Sequence, residues 1–262
     1  MELQARNAEF RNLGIGILAL TYDAPEAIKK FADERKIEFP ILSDQDHSIV
    51  QRFGILNRQY QPGERNYGIP YPGTFILTRE GRVVARYFEE EFQYRNTSAS
   101  IALKIGQPMR GMGPAVRQAT PHLDLAAFLT DGTVAPGHRF SIVVDMTPKP
   151  GMRIVASGQH NYRVLALDLE VDGNLRTYPA TYSPAAGLLQ VGNERLPVYT
   201  RPVRLIQDLA VVVNNEMRQL AQKPGSTVTL KGSLQYQACT DAACEPPQRV
   251  PLSWTVVLKP LG

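Results

Sequence analysis

The first part of the chain alternates between short apolar runs and segments with helical spacing. Residues 14–21 are almost wholly apolar, which is typical of a strand covered on both faces. A helix is predicted to follow, because Asp23 and Glu26 fit a capping box and Pro25 suits a first helical turn. Residues 39–42 form another short apolar run, which predicts a second strand.

A second helix is predicted to begin after residues 39–42. Asp44 or Asp46 can cap it, since a carboxylate accepts hydrogen bonds from the free backbone N–H groups of a first turn. Ile49 and Val50 supply its apolar positions, and Gly54 is placed to end it.

A hairpin and a closing helix complete this region. Residues 74–78 and 82–88 alternate like strands and are separated by a turn that contains Gly81. Residues 95–105 have helical spacing. Helices therefore alternate with strands, and we predict an α/β domain over residues 1–106.

The pattern changes in the second half of the chain. Residues 107–121 are rich in Gly and Pro, which predicts a linker. Short alternating segments follow, separated by Gly, Pro, Asn and Asp, at residues 140–146, 164–171, 203–213, 227–237 and 250–258. This pattern of short alternating segments predicts an all-β sandwich over residues 122–262.

Charge and hydropathy exclude several classes of protein. The 262-residue chain has a formal net charge of +4, and its basic residues are scattered, so we do not expect nucleic-acid binding. No apolar run approaches the ~20 residues of a membrane span, and the first residues lack an apolar signal core. The four histidines are isolated and no nucleotide-binding motif is present, so neither a metal nor a cofactor is expected.

The candidate chemistry lies in the two cysteines, Cys239 and Cys244. They stand between two alternating segments, so the four intervening residues fit a hairpin loop that lets the sulfurs face each other. A bridge would favour an oxidising compartment. Asp241 and Glu245 are acidic, and nearby negative charge raises the pKa of a thiol. The spacing alone leaves three interpretations open: an exchange-active pair, a structural hairpin disulfide, or two free thiols.

Residues 2–105 resemble the later part of a redoxin domain, in the family of AhpC/TSA peroxiredoxins and thioredoxin-like proteins. The matching stretches are GILALTY at residues 16–22, FPILSD at 39–44, FGI at 53–55, and YPGTFIL at 71–77 before GRVV at 81–84. The resemblance implies that Pro72 is a cis-proline. It also implies a first strand and a cysteine motif that this chain lacks. We therefore expect an N-terminally truncated chain that has lost its signal peptide; the rival is a cysteine-free domain kept for docking.

From about His122 onward the chain resembles the N-terminal periplasmic domain of DsbD-type thiol:disulfide interchange proteins, an immunoglobulin-like sandwich. The matching stretches are VVDMTPKPGM at residues 143–152, Tyr178–Pro179 with Tyr182, and LQYQAC at 234–239 with the second cysteine and two prolines after it. The resemblance implies that Cys244 is the attacking thiol and that Tyr236 supports the pair. Where the family places a shielding aromatic, this chain has Val198, with Tyr199 beside it.

Together these features predict thiol–disulfide exchange through Cys239 and Cys244. The protein would be an oxidoreductase that acts on thiol or disulfide partner proteins, either a redoxin or a membrane electron donor, in the periplasm or another extracytoplasmic space. The alternative is a non-catalytic interaction module with a structural hairpin disulfide and a vestigial redoxin domain.

Overall fold

The computed structural model describes residues 2–88, 91, 93–107, 115–158 and 160–261. The chain divides after Gln107 into two compact units, each with its own contacts. The first unit contains helices and short strands, and the second consists mainly of strands.

The elements of the first unit follow in chain order. They are α1 (Glu2–Ala5), α2 (Asn7–Asn12), β1 (Ala19–Thr21), α3 (Pro25–Arg35), β2 (Ile41–Ser43), α4 (Ser48–Arg52), β3 (Gly73–Leu77), β4 (Val83–Phe88), β5 (Arg95–Asn96) and α5 (Ser98–Lys104). The predicted order of helices and strands is thus present. The closing helix begins only at Ser98, because the Thr97 side chain accepts a hydrogen bond from the backbone of Ser100 and caps it there.

Strands β1 to β4 of the first unit form two separate two-stranded sheets. In one sheet β1 pairs in parallel with β2, and in the other β3 pairs antiparallel with β4. Only three residues of the predicted strand at 14–21 are in β1, and Leu18 is 59% exposed. The apolar run is therefore not covered on both faces, because Leu18 is exposed and all three residues of β1 are only partly buried.

Two predicted helix caps have different outcomes. The carboxylate of Asp44 accepts hydrogen bonds from the backbone N–H groups of Ile49 and Val50, as predicted for the start of α4. Asp23 does not cap α3, whose N-cap residue is Ala24. The Asp23 carboxylate instead accepts a hydrogen bond from the Thr21 hydroxyl, 2.5 Å away, which is a local alternative to capping.

The prediction of a cis-proline at Pro72 is wrong. No cis peptide bond occurs among the described residues, so the bond between Tyr71 and Pro72 is trans. The Tyr71 backbone N–H donates to the carbonyl of Ile55 across 2.7 Å. Trans is the lower-energy isomer by about 0.5–1 kcal/mol unless surrounding packing enforces cis.

The second unit contains fourteen described strands and one helix. They are β6 (Val116–Ala119), β7 (Leu123–Leu129), β8 (Thr133–Val134), β9 (His138–Pro148), β10 (Arg153–Val155), β11 (Ala166–Glu170), β12 (Leu175–Thr177), β13 (Thr181–Tyr182), β14 (Gly187–Val191), β15 (Glu194–Tyr199), β16 (Val203–Val211), α6 (Asn215–Gln222), β17 (Thr227–Tyr236), β18 (Ala238–Cys239) and β19 (Gln248–Leu258).

These strands form three sheets. One has the order β12–β16–β9–β7–β6, with β13 also paired to β16. The second has the order β11–β17–β19–β8, and the third β14–β15–β10–β18. Side chains from all three contribute to one hydrophobic core, whose largest members include Phe140, Leu205 and Tyr236.

The predicted linker at residues 107–121 needs correction at its end. Residues 108–114 lie outside the described residues. Val116–Ala119 form β6, which pairs antiparallel with β7. Val116 packs against the main core, so this segment is part of the second unit despite the Gly and Pro residues before it.

None of the helices in the described part of the chain is long and apolar enough to cross a membrane.

Candidate functional site

The sheet β14–β15–β10–β18 has two apolar faces. Side chains alternate along a strand, so neighbouring residues point to opposite faces. Ile154 and Ala238, which are paired across β10 and β18, belong to the main core. Val155 and Cys239 belong to a second, smaller cluster on the opposite face. The same alternation places Val198 in this second cluster.

Cys239 and Cys244 form a disulfide with the two sulfurs 2.04 Å apart. The backbones of the two residues also form an antiparallel bridge. The intervening loop is closed by Thr240, whose backbone N–H donates to the carbonyl of Ala243 across 2.8 Å. The Thr240 hydroxyl accepts from the N–H groups of Ala242 and Ala243. The predicted hairpin geometry is therefore present, with local hydrogen bonds that do not depend on the disulfide.

The two cysteines differ sharply in burial. Cys239 is fully buried, whereas Cys244 is partly exposed at the edge of the small cluster. The cluster consists of the buried side chains of Val155, Leu189, Leu196, Val198 and Cys239, with Tyr162, Val191 and Cys244 packed against it. Solvent thus reaches part of Cys244 and none of Cys239.

Gln237 fixes the second half of the loop. Its side-chain amide donates to the carbonyl of Glu245 across 2.9 Å, and its side-chain oxygen accepts from the backbone N–H of Arg163. The Glu245 N–H donates in turn to the carbonyl of Ala238. These bonds tie the residue after Cys244 to the strand that carries Cys239.

Arg153 introduces a positive charge that the sequence pattern did not reveal. It is paired with Cys239 in the register of β10 and β18. One guanidinium nitrogen, Nη2, lies 2.5 Å from Oδ1 of Asp241, within the loop between the cysteines. A guanidinium therefore lies against Asp241, one of the two acidic residues that stand beside the cysteines in the sequence.

Tyr236 lies in the main core rather than against the disulfide. Its hydroxyl donates to the Thr120 hydroxyl across 2.9 Å and lies 3.2 Å from Nδ1 of His122. Burial raises the pKa of Tyr236. Tyr236 therefore anchors the end of β17, two residues before Ala238, to the segment that precedes β7.

The structure thus brings together only some of the predicted site residues. Val198 shares the small cluster with Cys239, while the adjacent Tyr199 points to the main core. Pro72 belongs to the other compact unit. Arg153 and Gln237 were missed. Neither residue has a sequence signal of its own, because each depends on a partner brought close by strand pairing.

Comparison with known proteins finds a family model that matches the first part of the chain. Residues 1–86 match the AhpC/TSA family. Peroxiredoxin Bcp of Escherichia coli (strain K12) is 28% identical over 75 residues, which cover 29% of this chain and 47% of that protein. Peroxiredoxin Bcp of Xanthomonas campestris pv. campestris is 29% identical over 84 residues, or 32% of this chain and 52% of the relative. The chain therefore spans about half the length of these curated relatives.

The predicted redoxin resemblance is confirmed by this match. Residues 1–86 contain no cysteine, so both cysteines of the chain lie outside the matched segment.

Two solved structures align with parts of the chain at low similarity. The N-terminal domain of Neisseria meningitidis DsbD in the reduced form is 13% identical, with a TM-score of 0.32, and the alignment covers 44% of this chain and 82% of that domain. The N-terminal periplasmic domain of ScsB from Proteus mirabilis is 13% identical, with a TM-score of 0.37, and the alignment covers 55% of this chain and 51% of that chain.

Proposed function

We propose that this chain exchanges disulfides with thiol-containing partner proteins through Cys239 and Cys244. The observation that carries the proposal is the unequal burial of the two cysteines: Cys244 is partly exposed and Cys239 is fully buried. Exchange requires one sulfur that a partner can attack and a second that can leave and later return.

The chemistry follows from that asymmetry. A partner thiolate attacks Sγ of Cys244, a new S–S bond forms, and the bond to Cys239 breaks with its electron pair passing to the Cys239 sulfur. A second thiolate of the partner then attacks the partner sulfur that is bonded to Cys244. This forms a disulfide within the partner and releases Cys244 as a thiolate. The pair gains two electrons, the partner becomes a disulfide, and the thiolates take protons from solvent according to pH. The reverse sequence passes the electrons to an oxidised partner.

The short loop between the cysteines favours an exchange-active disulfide over a purely structural one. In the chain-entropy model a bridge between residues so close in sequence stabilises the fold by only about 2 kcal/mol. Thr240 and Gln237 also hold the loop with hydrogen bonds of their own. The fold therefore depends little on the covalent bond, and the bond is free to open and close.

The finer assignment rests on the resemblance of residues 122–262 to DsbD-type N-terminal domains. It makes the second unit an immunoglobulin-like sandwich and its partners a redoxin or a membrane electron donor. An extracytoplasmic location agrees with a disulfide, because such bonds persist in oxidising compartments.

Peroxiredoxin chemistry in the first unit is not part of the proposal. A peroxide-reducing site needs a cysteine thiolate, and both cysteines of this chain lie in the second unit.

The second candidate is a non-catalytic interaction module with a structural disulfide. The complete burial of Cys239 among apolar side chains favours it, because structural cysteines are commonly buried and inert.

Capture of a mixed disulfide separates the two candidates. Cys239→Ser leaves the accessible Cys244 without its resolving partner, so it should form a stable mixed disulfide with an oxidised redoxin or with oxidised glutathione. Cys244→Ser, the matched control, leaves only the buried sulfur and should capture far less. If both variants are folded and neither forms a mixed disulfide, the result would favour the structural module.

A further inference from the structure

The residue paired with the buried cysteine is basic. Arg153 of β10 pairs with Cys239 of β18, and directly paired residues of antiparallel strands project from the same face with Cβ atoms about 4.5–5.5 Å apart. The Arg153 side chain is only 25% exposed, so it lies along the sheet rather than extending into solvent.

The guanidinium of Arg153 has two described partners. Nη2 lies 2.5 Å from the carboxylate of Asp241, and Nη1 donates to the carbonyl of Gly151 across 3.3 Å. The Asp241 side chain is 79% exposed, which leaves it free to rotate away into water. Loss of this ion pair would therefore leave the Asp241 carboxylate solvated rather than buried.

Two acidic residues and one further basic residue lie on the segments around the bridge, and the basic one, Arg163, is exposed. Glu245 follows Cys244 in the loop and is exposed. Glu194 begins β15 and shares the face of Leu196 and Val198, toward the small cluster. On the segment before β11, His160 stacks edge-on against Tyr162, which packs on the cluster. Cys239 is therefore paired in register with a basic residue, while Glu194 shares its face of the sheet and Glu245 follows the loop.

Opening of the bridge creates a charge where the surroundings are apolar. Attack on Cys244 transfers the bonding electron pair to the Cys239 sulfur, which is fully buried among Val155, Leu196 and Val198. A buried anion without a compensating partner is costly, and a nearby cation favours the thiolate. The departing sulfur therefore needs a positive charge on its own face of the sheet.

We propose that Arg153 is the positioning residue for this step: its guanidinium shifts from Asp241 toward the Cys239 sulfur as the disulfide opens and stabilises the thiolate that leaves. The inference rests on the exchange proposed for the pair, and it makes Asp241 a competitor that holds the guanidinium in the oxidised state.

Two substitutions distinguish this role from a merely structural ion pair. In the full-length chain, Arg153→Gln removes the cation, so reduction of the bridge by dithiothreitol at fixed pH should slow about tenfold. Asp241→Asn removes the competitor, so reduction should become about threefold faster. A low pKa of the leaving thiol speeds exchange, which predicts opposite signs for the two variants. If the ion pair only stabilises the loop, both substitutions should change the rate of reduction in the same direction.

A second readout concerns the thiolate itself. With Cys244→Ser as background, the thiolate absorbance of Cys239 near 240 nm is titrated against pH. Arg153→Gln should move the midpoint upward and Asp241→Asn downward, while Arg153→Lys, which keeps the charge, should lie close to the parent. The Arg204–Asp145 pair in another sheet offers a matched control, because its nitrogen and oxygen are 2.6 Å apart. Arg204→Gln should leave both readouts unchanged.

The outcomes separate this inference from the proposed function. Wild-type protein that resists exchange with dithiothreitol and glutathione contradicts the proposed function itself. Wild-type protein that exchanges readily, while Arg153→Gln and Asp241→Asn shift the rate in the same direction or leave the titration unmoved, overturns the role of Arg153 alone. Thermal unfolding of each variant establishes that the fold is retained.

Discussion

Arg153 and Cys239 lie directly opposite each other in the antiparallel pairing of β10 with β18, and the guanidinium of Arg153 reaches the loop that joins the two cysteines. The disulfide is thus built on a sheet rather than at a helix terminus. Its two cysteines differ in burial: Cys239 is fully buried in the small apolar cluster, whereas Cys244 packs against the same cluster and is partly exposed.

The first prediction concerns the reactivity of the two thiols after reduction. Cys244 should react with iodoacetamide at least tenfold faster than Cys239, because only Cys244 is accessible in the folded chain. Mass spectrometry of peptides after timed alkylation measures both rates in one sample. Equal rates in folded protein would contradict the burial asymmetry; equal rates in denaturant are the expected control.

The second prediction concerns the hydrogen bonds of Tyr236. Tyr236→Phe removes the donor to Thr120 and leaves that hydroxyl without this partner, so the free energy of unfolding should fall by about 1–3 kcal/mol. Urea unfolding monitored by the fluorescence of Trp254 measures the change. Thr120→Ser keeps a hydroxyl and should cost clearly less than Thr120→Val; a Tyr236→Phe protein as stable as the parent would count against the network.

The third prediction concerns alkaline pH. Burial raises the pKa of Tyr182, Tyr199 and Tyr236 above the ordinary value of 10.0. The folded state therefore holds these phenols neutral, while the unfolded chain ionises them near pH 10. Their stabilising contribution should be complete below pH 10 and be lost as the pH rises through the folded values, by up to about 1.4 kcal/mol per pH unit for each tyrosine.

Urea midpoints between pH 8 and 11.5, with phenolate absorbance at 295 nm, follow this loss. Tyr236→Phe should make the decline shallower above pH 10 and leave it unchanged below. A decline of equal steepness in the variant would show that other groups cause it.

The local patterns were readable from the sequence, and the long-range pairings were not. The Asp44 cap and the loop between Cys239 and Cys244 depend on residues within a few positions of each other, so spacing was enough to predict them. Asp23 failed as a cap because the Thr21 hydroxyl, equally local, binds it instead.

The pairing of Arg153 with Cys239 could not be predicted, because it depends on the register of strands far apart in sequence. Strand β10 has only three residues, too few to show a clear alternation. The cis-proline at Pro72 was inferred from a resemblance rather than from any physical signal in this chain, and the structure has a trans bond there.

The fourth prediction tests close packing in the first unit. Gly68 has a φ of +95°, and a Cβ atom at this position would overlap the imidazole of His47. Gly63 has a similar φ of +97° with open space around it. Both alanine substitutions incur the left-handed backbone cost of about 1–2 kcal/mol, and Gly68→Ala should be the more destabilising of the two because the His47 imidazole must also move.

Hydrogen exchange of backbone amides in residues 2–107 measures the two losses in the same unit. Gly63→Ala serves as the matched control for the backbone term. Indistinguishable exchange in the two variants would contradict the contact between Gly68 and His47.

The reduction potential of the Cys239–Cys244 pair is the most direct test of the central claim. The chain has only these two cysteines, so the fraction of reduced protein in a series of glutathione redox buffers reports on them alone. Exchange predicts a potential between about −300 and −180 mV, within the range of thioredoxins and protein disulfide isomerases. A potential well below about −300 mV, with the bond intact in fully reducing glutathione, would identify a structural bridge and contradict the account.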